Sequence, residues 1–197
     1  TQNRTLSLIL PAFGAVIIAV LAQIIIPIGA VPITLQTFAV GLVAAILKPR
    51  EATLAATLYL ILGAIGLPVF AGGGGGLQAF FGPSAGYLLA YPFFALSFKT
   101  EHAETPIWKI FVAFVLGDAL VFVGGILSLH FLGKMGWSAA VAVGLTPFII
   151  PDLLKGLIVA LVTKPVLKAL KIIATLTKKI EDFVRVNRIF NLFIFQN

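Results

Sequence analysis

IWKIFVAFVLGDALVFVGGILSLHFL, residues Ile107 to Leu132, is the run whose reading decides the fold. Its only charged side chains are Lys109 and Asp118. A helix of roughly 20 apolar residues, at 1.5 Å per residue, crosses about 30 Å of hydrocarbon. This run exceeds that length and crosses with some tilt. Membrane insertion, not burial in a soluble core, is the expectation.

The neighbouring sequence repeats the pattern. Leu8 to Ile26 reads as a first span, ended by Pro27 and Gly29, and Leu35 to Leu47 as a second, stopped by Lys48-Pro49-Arg50-Glu51. Ala52 to Gly66 is a third, Ala85 to Phe98 a fourth, and Ile107 to Leu132 the fifth. After a glycine-bearing loop from Gly133 to Gly144, Pro147 to Val162 makes the sixth. Val69 to Ser84, with five consecutive glycines, reads as a long loop. The fold expected is an all-α integral membrane protein of six transmembrane helices. Residues 1–171 form its membrane domain, and 172–197 a polar and aromatic tail, interfacial or disordered. No small-residue cleavage site and polar mature domain follow the first apolar stretch, so no cleavable signal is expected.

The whole composition agrees. Of 197 residues, 60% are hydrophobic and 11% charged, too few charges to cover a soluble exterior. There is no cysteine, which excludes disulfides and thiolate metal sites. His102 and His130 do not make a zinc site by themselves. The net charge of +7 is scattered between apolar runs, without the clustered, aromatic-interleaved face of a nucleic-acid binder. It reports orientation instead. With the N-terminus cytoplasmic, the inner side collects Arg4, Lys48, Arg50, Lys99, Lys109, Lys164, Lys168, Lys171, Lys178, Lys179, Arg185 and Arg188. Only Lys134 lies outside, with Lys155 inside the sixth span. Both termini are therefore expected on the cytoplasmic side.

Ionisable groups at membrane depth cost roughly 2.5–3.5 kcal/mol each, so each asks for a reason. Asp152 and Lys155, three apart, share a helical face near the outer end of the sixth span. They read equally as a compensated ion pair or as a polar ligand site. Pro151 suits the first turn of that helix, and a carboxylate there gains from the helix dipole. Asp118, about 16 Å along the fifth span, reads as structural before it reads as a proton or ion site. Gly72 to Gly76 is no phosphate loop, since no Gly-Lys-Ser/Thr follows. It shares the outer side with Asp152, and long loops are often functional. Ala15 and Ala19, with Ala12 and Ala22, form a small-residue stripe, for internal packing or for a partner. No Ser-His-Asp set, HExxH or nucleophile elbow is present, so an enzyme is not expected.

At four places the chain resembles a known family. These are Pro27 to Phe38 (PIGAVPITLQTF), Gly63 to Gly73 (GAIGLPVFAGG), Gly82 to Tyr87 (GPSAGY) and Pro151 to Lys155 (PDLLK). Their order and spacing are similar to those of the BioY family, the biotin-specific S components of energy-coupling-factor (ECF) transporters, over roughly residues 8 to 170. The resemblance implies a six-helix subunit in the prokaryotic plasma membrane that captures biotin from outside. It implies no ATPase of its own; it pairs with a transmembrane coupling subunit and two ATP-binding subunits, and topples to release its ligand. A stand-alone biotin carrier, or an S component for another vitamin, are the alternatives. No cofactor or metal is implied. On this resemblance Asp152 accepts the ureido N–H donors, and Lys155 donates to the ureido oxygen or a carboxylate. Gln36, Gly73 and Tyr87 are placed at the site by motif position, and Ala15 and Ala19 at the coupling-subunit surface. The chain departs from the family pattern in Pro151, where glycine is typical, and in Ser84-Ala85-Gly86-Tyr87, where Thr-Gly-Gly-Tyr is common. Leu88 stands where some relatives carry arginine.

Overall fold

A computed structural model describes residues 2–27, 31–98 and 105–195, with side chains placed over 8–27, 31–98, 105–173, 175 and 176. Gly29, Lys99 and His102, and the side chains of Arg4, Lys178, Lys179, Arg185 and Arg188, lie outside the described residues.

The order is α1 (Gln2–Leu21), β1 (Ile25–Ile26), β2 (Ile33–Thr34), α2 (Gln36–Ile46), α3 (Pro49–Ala64), α4 (Ala85–Ser97), α5 (Ile107–Phe131), α6 (Trp137–Gly144) and α7 (Ile149–Phe195). Two 3₁₀ turns, Ala71–Gly73 and Leu77–Phe80, lie between α3 and α4. The apolar exteriors of these helices carry Leu8, Phe13, Val20, Leu116, Leu120, Val123, Leu154 and Leu157, all exposed. A soluble monomer rarely shows so continuous an apolar surface. Helix α5 is long and apolar enough to cross a hydrocarbon layer alone, and α6 with α7 qualifies as a pair bent by 44°. At about 16 Å and 20 Å, α2 and α4 are shorter than such a layer is thick.

The short helix α2 sits at the centre. Eight of its eleven residues are buried, from Gln36 through Ala45, and it packs on α1, α3, α4, α5 and α7. A helix apolar all round belongs inside a bundle. Small residues let its neighbours close in. A Cβ at Gly14 of α1 would fall 2.8 Å from the Cβ of Ala55 on α3. Phe114 of α5 seats against Gly41 of α2 and Gly156 of α7. Helices α4 and α5 touch backbone to backbone, where a Cβ at Gly124 would lie 2.5 Å from the Gly86 carbonyl oxygen. Pro49 opens α3 at a position where its missing N–H costs nothing, and the Glu51 carboxylate accepts the Lys48 N–H at 3.3 Å.

Three expectations are corrected. The first helix stops at Leu21, and Ile25–Ile26 instead pairs antiparallel with Ile33–Thr34. The β-branched isoleucines favour that extended pairing. The stretch expected as loop from Gly133 to Gly144 holds α6, and His130 ties its entry: Nδ1 meets the Met135 carbonyl at 2.7 Å and the ring stacks on Trp137 at 3.9 Å. The helix that carries the expected sixth span does not stop at Val162, since α7 runs through Pro165 to Phe195. Of the alanine stripe, Ala15 and Ala22 are enclosed in the bundle, Ala19 is half-buried and Ala12 is exposed.

Candidate functional site

Asp152 enters α7 in its first turn, its own N–H bonded to the Phe148 carbonyl at 2.8 Å. Lys155, one turn on, forms an ion pair with the Asp152 carboxylate. Both are almost wholly buried, at 3% and 7% exposure. Two charges taken out of water cost several kcal/mol each unless geometry and further hydrogen bonds compensate. Thr37, from the central helix α2, supplies one such bond on each side. Its hydroxyl accepts from Lys155 Nζ at 3.1 Å and donates to Asp152 Oδ1 at 3.4 Å.

Beside this trio Gln36 is held by aromatic hydroxyls. Its Nε2 donates to the Tyr59 hydroxyl at 2.6 Å, and its Oε1 accepts from Tyr91 at 3.3 Å and from Thr34 at 3.1 Å. Tyr87, one turn before Tyr91 on α4, lies over Gly125 and donates its hydroxyl to the Gly144 carbonyl at 2.7 Å. That bond fixes α6 just ahead of the bend into α7.

These groups converge on a cavity of about 440 Å³, within the range typical of small-molecule sites. Asp152, Lys155, Thr37, Gln36 and Tyr91 form its buried polar end, and Phe70, Phe122, Phe148 and Leu88 line its sides. Exposed Gly74, Gln78 and Ser84 border it where the glycine loop passes over. That loop is ordered. Gly66, Gly72, Gly73 and Gly76 adopt positive φ, which glycine allows without strain. Gly76 donates to the Gly63 carbonyl at 2.7 Å, and Gln23 Nε2 on the far side reaches the carbonyls of Val69 and Phe70, both at 3.3 Å. Phe70 is pinned edge-on between Tyr59 and Phe80.

The structure thus brings four residues singled out from sequence, Asp152, Lys155, Gln36 and Tyr87, to one cavity. Gly73 is not among its lining residues, whereas Gly74 and Gly75 are. Thr37 and Tyr91 escaped the sequence reading. Tyr91 had a signal, lying four residues from Tyr87 on the same helical face. Asp118, 6% exposed, borders a separate cavity of about 150 Å³ that also touches Asp152, and its Oδ1 has no hydrogen-bond partner among the described residues.

A helical bundle sheathed in apolar side chains, closed on a pocket with an ion pair at its floor, has the build of a membrane protein that binds a small polar molecule. Comparison with known proteins makes the assignment specific: the BioY family profile matches residues 1–172, and the chain belongs to that family. It is 44% identical over 172 residues to the biotin transporter BioY2 of Lactococcus lactis subsp. cremoris, covering 86% of this chain and 94% of that one. It is 38% identical over 148 residues to the biotin transporter BioY of Thermotoga maritima, covering 74% and 86%. Among solved structures, it superposes on the S component for biotin from an ECF-type ABC transporter with a TM-score of 0.75 at 26% identity. That match covers 85% of this chain and 94% of the other.

Proposed function

We propose that this protein is the biotin-binding S component of an ECF-type uptake transporter, which captures biotin from outside the cell membrane and delivers it inward. The buried Asp152–Lys155–Thr37 arrangement at the floor of a ligand-sized cavity is the observation that carries the reading. A cyclic urea presents two N–H donors beside one strong acceptor. A carboxylate next to an ammonium is their complement, and charge-assisted bonds in a desolvated site are the strong kind. Asp152 takes the ureido N–H groups and Lys155 donates to the ureido oxygen, while Gln36 and Tyr87 shape the same end. The names of the relatives support the ligand.

In this reading the chain crosses the cell membrane six times with both termini in the cytoplasm, residues 1–171 forming the membrane domain and 172–197 an interfacial tail. Basic Lys48, Arg50, Lys164, Lys168 and Lys171 then face inward. Transport work is done by partners, a transmembrane coupling subunit and two ATP-binding subunits, and this chain hydrolyses nothing. Half-buried Ala19 is left as the stripe's contact candidate on α1.

Equilibrium binding of labelled biotin to purified protein tests the reading. Wild type binds saturably, and Asp152→Asn or Lys155→Ala weakens binding more than about 30-fold, because truncating one partner leaves the other charge buried and unpaired. Undiminished binding in both variants rules out the proposed floor of the site. Displacement by a different vitamin but not by biotin rules out the ligand.

A further inference from the structure

We infer that the pocket reads the ring end of its ligand and leaves the acid group unread, so that neutral, amide-linked biotin derivatives are ligands of the same rank as biotin. The inference rests on the biotin reading above. Among the described residues, Lys155 is the only cation lining the cavity, and it is bonded to both Asp152 and Thr37. Buried Asp118 borders a small second cavity that Asp152 also lines. Two carboxyl groups thus stand against one ammonium, and that end has no surplus positive charge for a third carboxylate.

The acid of an elongated ligand is therefore directed to the opposite end. There the bordering side chains are neutral, with Gln78 and Ser84 exposed and Gln78 Nε2 donating one of its two N–H groups to the Gly75 carbonyl at 2.7 Å. A carboxylate at that rim stays hydrated and meets no cation among the described residues. Replacing it with an amide loses nothing that the protein supplied, and an exposed rim leaves room for a chain attached there. Had a buried cation held the acid, its loss would cost more than tenfold.

Competition against labelled biotin decides the matter, with biotin, biotinamide and biocytin as competitors on the purified wild-type protein. The expected result is that all three fall within tenfold of one another. A biotinamide affinity more than tenfold below that of biotin overturns the inference while leaving biotin binding intact. No saturable biotin binding at all overturns the functional reading and this inference together. Gln78→Lys adds the missing cation at the rim. It should raise the preference for biotin over biotinamide about two- to fivefold, the range of a solvent-exposed ion pair. An unchanged ratio in Gln78→Lys overturns the placement of the acid at this rim.

Discussion

Gln36 is the side chain through which pocket and core are joined, and its two ends are not equally secured. Among the described residues its amide nitrogen has one partner, the buried Tyr59 hydroxyl at 2.6 Å. Its oxygen accepts from both Tyr91 and Thr34. Tyr59→Phe therefore strands a buried donor, and should lower unfolding stability by about 1–3 kcal/mol in a detergent thermal melt. Tyr91→Phe leaves the oxygen still bonded, and should cost less than about 1 kcal/mol. At this scale the sequence disclosed charges and motifs. Asp152 and Lys155 were visible because ions three apart in an apolar helix demand a partner. Thr37 was invisible because a hydroxyl in an apolar run commonly bonds its own helix, and its real contacts lie 115 and 118 residues away. The glycine loop pointed to the neighbourhood of the cavity, which Gly74 and Gly75 line while Gly73 stands next to them in the chain.

Helices in this bundle are matched by missing side chains. The α4–α5 crossing brings the Gly86 and Gly124 backbones together, and Phe94 seats against Gly117 in the same interface. Gly86→Ala would drive its Cβ into the Gly124 carbonyl, and backbone cannot give as a side-chain tip does. A loss of about 1–3 kcal/mol is expected. Gly136→Ala is the control, since nothing lies within 4 Å of its added Cβ and its φ is −62°. Its melting temperature should match that of wild type. Element positions for α2 to α5 were legible from runs of apolar residues bounded by charge, glycine or proline. Helix α6 was not, because the eight residues from Trp137 to Gly144 are too few for periodicity to separate helix from loop. The true end of α7 was hidden by Pro165, which ordinarily argues for a stop.

For the molecule as a whole, the apolar exterior makes it a membrane protein, and the basic residues set the expected direction. The absence of cysteine makes that direction directly measurable. Lys134→Cys should react with an impermeant maleimide on intact cells, and Lys168→Cys only after the membrane is opened. Labelling in the reverse order would turn the proposed topology upside down. Composition pointed to the solvent and charge asymmetry to the orientation that this labelling tests, but neither held the identity of the ligand, which depends on which side chains meet across α2, α4 and α7. The stacking of Trp137 on His130 has a last, optical consequence. The chain has two indoles, Trp108 and Trp137, set at the two ends of α5. With Trp108→Phe the emission would come from Trp137 alone, an unlabelled reporter of any parting of the α5–α6 turn as ligand enters or a partner docks.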